Sequence, residues 1–242
     1  MPILMLAQGD QTAKNMLGQL IVSRYGLRPP TLDNLIIDFR GHIPFKTDDG
    51  IRAVPLDATA MFNFPNAMRW DFVVRYPDGK TVQNIESFDG TLLHEQRQQQ
   101  PSQVVTHIEH LHGIISRLWA MAAVLVTPLS DPNIHLTMHN SRAFYAQDSR
   151  FGDAIMVRTN SDQRVECVHT VCYNPSTQTE QVYSLLPSPD LIEVDGLVLP
   201  KTLRAYWDEN ILFELQPIAA EAGLVVPESM FRLAYEASAG SS

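Results

Sequence analysis

Cysteine is almost missing from this 242-residue sequence, which has Cys167 and Cys172 alone. Two cysteines exclude a multi-bridge disulfide scaffold. A step of five residues spans about 16 Å when extended, so joining them would demand a sharp bend. Charge is scarce as well, at 19% Asp, Glu, Lys and Arg against about 25% in ordinary globular chains. Positive charge is the scarcer sign: 18 Lys and Arg stand against 27 Asp and Glu, a net −9. Nucleic-acid affinity rests on clustered Lys and Arg, so nucleic acid is not an expected partner. No long apolar run exists. The best is the nine residues 118–126, preceded by Arg117, about half of what a membrane-spanning helix needs. No transmembrane span is expected.

Catalytic templates are missing too. The sequence contains no G-x-S-x-G elbow, P-loop, G-x-G-x-x-G turn, H-E-x-x-H or C-x-x-C. His94-Glu95 opens the zincin string, but Gln98 stands where the second histidine belongs. These absences remove the common reasons to propose an enzyme without excluding one, and no cofactor is expected. There is no internal repeat.

What is present is 45% hydrophobic residues, enough for a sizeable core. The start, Met1 to Ala7, is apolar but lacks a basic leader region. Residues 1–10 are therefore either the end of an export signal or simply a flexible start, and 238–242 form a flexible tail. Thr12 is a candidate N-cap for a helix carrying Ala13, Met16, Leu17, Leu20 and Ile21 to Gly26. Period-two alternation follows: Leu35, Ile37, Phe39 and Ile43 on one face, then Met68, Trp70, Phe72, Val74 and Tyr76. Pro77-Asp78-Gly79-Lys80 turns into a strand at 81–87, and Phe88-Asp89-Gly90 into one at 91–95. Between Val105 and Val126 the period becomes helical, with Ile108, Leu111, Ile115, Leu118, Trp119, Ala122 and Leu125 in one stripe. Strand patterns resume at Ile134, 154–159, 165–173, 181–186, 199–207 and 211–216, and Pro227 opens a short final helix around Met230 and Phe231. About ten strands in sequential hairpins, with two helices, predict an α+β, mainly β fold. Its curved antiparallel sheet would form a half-open barrel covered by the N-terminal helix and the central helix.

At the level of turns and strand entries the chain resembles the LolA-like superfamily, the outer-membrane lipoprotein carriers of lipoprotein localisation. The segments that carry the likeness are Tyr25-Gly26-Leu27, 36–41, Phe64-Pro65-Asn66-Ala67-Met68-Arg69, Phe88-Asp89-Gly90, Thr127-Pro128-Leu129 and above all 194–204, with its Asp195-Gly196 step. The resemblance implies one domain over 1–242 whose incomplete barrel holds acyl chains of a lipid or lipoprotein in transit. None of these segments is a catalytic motif.

Among chemistry-bearing residues, His107 and His110 lie within one turn, but neither Glu109 nor His112 completes a zinc set on that face, so a solvated polar helix start is preferred and no metal is expected. His135 and His139 stand about 13 Å apart on a strand and cannot share an ion. Cys167 and His169 share a strand face at about 7 Å, too far for a direct hydrogen bond without distortion, which favours structural cysteines over a nucleophile. No catalytic residue is assigned. Trp70, Phe72, Leu118, Trp119, Ala122 and Met138 are the candidate ligand contacts, serving either as dry core or as lining for an apolar guest.

The sequence thus points to a non-enzymatic binding or carrier protein, with a hydrophobic small molecule or lipid as partner, an envelope lipoprotein as a further candidate, and a monomer as the expected state. Gly113 is the weak point at which the helix would shift for release. The alternative is a cofactor-free enzyme using His107, His110 or His169 with a carboxylate on an apolar substrate. A third reading is a structural envelope protein with a filled interior. Location follows the start of the chain: periplasm or cell envelope if the signal is real, cytoplasm otherwise.

Overall fold

The computed structural model describes residues 7–47, 50–98, 100–150 and 154–233. Most of the segments expected at 1–10 and 238–242 lie outside them. Of the first ten residues, Ala7 is buried and Gln8–Gly9 forms strand β1, parallel to β8 (Ile134–Asn140). The N-cap of helix α1 (Gln11–Tyr25) is Asp10, not Thr12. Its carboxylate accepts a hydrogen bond from the Met138 amide at 2.9 Å, tying the helix start to the sheet rather than closing its own first turn.

Two runs of antiparallel strands flank the second helix. The first comprises β2 (Asn34–Thr47), β3 (Gly50–Asn63), β4 (Ala67–Arg75), β5 (Thr81–Phe88), β6 (Leu93–Arg97) and β7 (Gln103–Val105). Helix α2 (Ile108–Leu125) and a 3₁₀ turn at Thr127–Ser130 then lead to β8, β9 (Ala143–Asp148), β10 (Ala154–Thr159), β11 (Val165–Asn174) and β12 (Thr179–Pro187). The hairpin β13 (Leu191–Val194) with β14 (Leu197–Pro200) stands apart, and β15 (Leu203–Trp207) and β16 (Asn210–Ala222) return to the sheet. The long late strand expected at 199–207 is broken at Lys201–Thr202, and the expected final helix is a 3₁₀ turn at Glu228–Met230.

The main sheet has 14 strands in the order β1-β8-β9-β10-β11-β12-β15-β16-β2-β3-β4-β5-β6-β7. Antiparallel pairing of β16 with β2 joins the two runs, while β1 and β7 remain unpaired edges, so the sheet is large, curved and not closed into a barrel. Gly41 is obligatory at this joint: a Cβ there would lie 1.9 Å from the Glu214 carbonyl oxygen. Strand β3 is the element the periodicity reading passes over. Its Val54, Leu56, Ala58, Ala60 and Phe62 alternate inward, but Pro55 and Asp57 mask the pattern in the sequence.

Helix α2 lies against β10, β11 and β12 and is buried on nearly every side from Gly113 to Leu125, which exceeds the single stripe its sequence suggests. Its last carbonyls are capped from α1: the Arg24 guanidinium donates to Val124 O, and Tyr25 Oη donates to Leu125 O at 3.1 Å. The helix supplies no basic residue of its own there, so Arg24 is also the cation that complements its dipole. Gly113 is a packing position. A Cβ on it would come within 2.9 Å of the Tyr173 carbonyl oxygen, and its absence lets α2 approach β11 closely. Against β2 to β5, in a small cluster with Ile36, Met61 and Ala67, Phe231 is buried and its carbonyl accepts from Ser87 Oγ at 2.7 Å.

Candidate ligand cavity

Where α2 leans toward β11, the opposite part of the concave face keeps open space. Cross-strand register places Trp70 beside Ala60 and Glu86, and Phe72 beside Ala58 and Asn84. The cavity has a volume of about 220 Å³. Its walls come from both strand runs and the helix: Trp70, Phe72 and Val74 on β4, Leu185 on β12, Phe213 on β16 and Met121 on α2 are the main apolar surfaces. Trp70 stacks on Phe72 with centroids 5.4 Å apart and planes 3° from parallel, and meets Phe62 edge-on at 6.0 Å. This aromatic end is rigid, because each ring fixes the next.

The other end is polar. Arg117, on α2, donates from Nη2 to Glu86 Oε1 at 2.7 Å and from Nη1 to Oε2 at 2.9 Å, a fork-to-fork pair across helix and strand. The two side chains are 14% and 16% exposed. Burial alone would raise the Glu86 carboxyl, but the Arg117 charge and hydrogen bonds, with His110, overrule it and hold the group at about 2. Burial pushes the Tyr183 hydroxyl well above its usual range, despite the opposing pull of Arg117. Asn84 and Tyr183 complete this corner of the cavity.

Behind the pair, His110 is buried, with Nε2 3.3 Å from Glu95 Oε1 and 3.8 Å from Glu86 Oε1. The solvated helix start expected of His107 and His110 is therefore corrected for His110, whose surroundings come from β5 and β6 and could not be read along the helix. Glu86, Glu95 and His110 bring one ligand atom each within 4.8 Å of one another. By donor type they could take a divalent cation, but Arg117 occupies both Glu86 oxygens and Arg97 pairs with the other Glu95 oxygen at 3.3 Å. A cation there would sit against a guanidinium. The same locking makes Glu86 a poor proton acceptor.

Of the residues singled out in the sequence, Trp70 and Phe72 line the cavity. Leu118, Trp119 and Ala122 are buried, but the helix presents Arg117 and Met121 to the space instead, a half-turn away. Met138 is half-buried on β8, away from the lining. Glu86, Arg117, Asn84 and Tyr183 were missed. A signal existed for one of them: Arg117 is the only charge in the apolar run 113–126, and a buried charge calls for a partner.

A second polar chain lies elsewhere in the sheet. Cys167 Sγ is 2.8 Å from His169 Nε2, and His169 Nδ1 is 2.7 Å from Ser184 Oγ on the neighbouring strand. The expectation that this i, i+2 pair is too far apart for a direct hydrogen bond without distortion is corrected: the imidazole reaches along the strand and closes the gap. Burial raises the Cys167 thiol and lowers the His169 imidazole, so both favour the neutral form. That is a structural hydrogen bond rather than an activated nucleophile.

No family model matches the sequence, and no curated protein does. Among solved structures, a LolA superfamily protein from Nitrosomonas europaea superposes with a TM-score of 0.51 over 92% of this chain and 98% of that one, at 10% identity. The chain has a LolA-like fold. A DUF1329 family protein from Desulfovibrio piger matches over the same share of this chain and 98% of its own, with a TM-score of 0.49 and 6% identity. At such identities the likeness lies in the course of the LolA-like backbone, and cavity side chains cannot be transferred from it. No helix among the described residues is long and apolar enough to cross a membrane.

Proposed function

We propose that this LolA-like chain is a non-enzymatic binding or carrier protein, one domain whose sheet acts as a half-open barrel around a hydrophobic small molecule or lipid. The observation that carries the reading is the cavity of about 220 Å³ whose surface is mostly aromatic and aliphatic. Apolar burial is worth about 0.8 kcal/mol per methylene, so such a space is a binding site for a guest of matching shape. Trp70 and Phe72 are the contacts we assign to it, because both line the space and their mutual stacking fixes them on one strand. Leu118, Trp119 and Ala122 support the helix from the far side. A carrier of this kind belongs in the periplasm or cell envelope, where apolar cargo must cross water, and an envelope lipoprotein is the largest partner it would meet. The cavity would have to widen for a two-chain lipid, since about 220 Å³ lies below the roughly 300–1,000 Å³ of sites that bury drug-sized ligands.

The test is extraction of the purified protein with organic solvent, together with native mass spectrometry. The expected result is a co-purifying apolar molecule, or uptake of a short-chain amphiphile at one site. A chain that purifies empty and binds no apolar probe would overturn the reading.

A further inference from the structure

The polar corner defines which apolar guests fit, and this inference rests on the carrier reading above. Glu86 and Arg117 face the space together, bonded at both carboxylate oxygens, so the pair is neutral as a unit. A ligand carboxylate entering beside it would compete with Glu86 for the guanidinium and leave one of two acids buried without a partner. A ligand ammonium would compete with Arg117 in the same way. Either exchange leaves one charge of a largely buried pair, 14% and 16% exposed, without its partner, which is costly.

Two neutral groups stand beside the pair and are unused. The side-chain amide of Asn84 and the hydroxyl of Tyr183 line the cavity, and neither makes a hydrogen bond to another described residue. Both side chains border the open space, so a guest can supply the partner that no described residue does. Between them they offer donors and acceptors, as a hydroxyl, amide or carbonyl requires. Size narrows the choice further. A cavity of about 150 Å³ is known to admit benzene, so about 220 Å³ suits eight to ten non-hydrogen atoms by the same ratio.

We propose that the cavity selects an uncharged amphiphile, with a single short apolar body against Trp70 and Phe72 and a neutral hydrogen-bonding head held by Asn84 and Tyr183. The neutral pair excludes acids and amines of the same length.

Isothermal titration of the full chain at pH 7 with 1-octanol, octanoate and octylammonium tests this. Octanol should bind at least tenfold more tightly than either ion. Tyr183→Phe and Asn84→Ala should each weaken octanol about three- to tenfold, the loss expected for one neutral hydrogen bond. Tyr183→Phe keeps the ring, so its circular dichroism and melting temperature should match the parent chain. Octanoate or octylammonium binding as well as octanol would overturn the head-group selection while leaving the hydrophobic-ligand reading intact. Octanol affinity unchanged from the parent chain in both variants would overturn the roles of Asn84 and Tyr183. Failure of all three probes to bind would remove the carrier reading and this inference together.

Discussion

The two halves of the concave face are filled in different ways. On one side, under the helices, β8 to β11 carry Leu136, Phe144, Val157 and Val168, all fully buried. Across the sheet, β2 to β5 carry larger side chains, Trp70, Phe72 and Phe62, yet enclose open volume. Bulk of side chain is therefore not what fills the interior. What decides it is where the one long helix lands, and Gly113 lets it land close on β11. The cost is that Arg117, pointing away from the filled side, must find Glu86 across the space. Aromatic rings and an ion pair hold the open half apart, while close-packed aliphatics hold the other half shut.

The largest effect should come from breaking the ion pair. Arg117→Met leaves Glu86 buried without its partner, a loss of about 3–5 kcal/mol by urea unfolding. The double variant Glu86→Leu with Arg117→Met should recover most of that, because two apolar groups need no compensation. A single variant that unfolds at the parental urea concentration would show that solvent, not Arg117, satisfies Glu86.

Acid should act on the same place, somewhat more weakly. The Glu86 carboxyl is depressed from 4.5 in its ordinary state to about 2 in the fold. A depressed acid contributes stability above its unfolded value and loses it as pH falls through the folded one, so the window runs from about 4.5 down to about 2. The shift corresponds to about 3 kcal/mol. Unfolding free energies at pH 5 and pH 2 should differ by that much more in the parent than in the Glu86→Leu, Arg117→Met double variant. Equal acid sensitivity in the two proteins would assign the loss to other carboxylates.

The filled half was more legible in the sequence than the open one, and the reason is physical. Alternation at Ile134, Leu136 and Met138, and the apolar run of α2, report burial directly. The cavity is a statement about what does not touch, and no periodicity encodes that. Trp70 and Phe72 could be placed because they alternate on one strand. Leu118, Trp119 and Ala122 were drawn from the longest apolar stripe of the helix, whereas the residues that meet the space, Arg117 and Met121, lie on its other face. The cluster of Glu86, Glu95 and His110 joins three elements whose residues are up to 24 positions apart; strand pairing sets the two glutamates side by side and the helix brings His110 to them. Strand β3 was hidden by Pro55 and Asp57, so Leu56, the residue it contributes to the cavity wall, went unseen. Fold-level likeness was readable from turn chemistry such as Asp195-Gly196, whose residues both adopt positive φ, at 49° and 83°.

The smallest effects give the sharpest comparison, since one chemical change can be made in each half. Val157 on β10 is fully buried against the helix side, so Val157→Phe forces extra atoms into a closed interior and should destabilise by about 1–3 kcal/mol. Leu203 on β15 lines the cavity, and Leu203→Phe can direct its added atoms into existing space. Its stability should stay within about 1 kcal/mol of the parent, because the new contacts offset the strain of a larger ring. The same substitution removes room for a guest, so octanol uptake should fall while the melting temperature holds. If Leu203→Phe cost as much as Val157→Phe, the space beside Trp70 would be no more open than the interior beneath α2, and the distinction between the two halves would disappear.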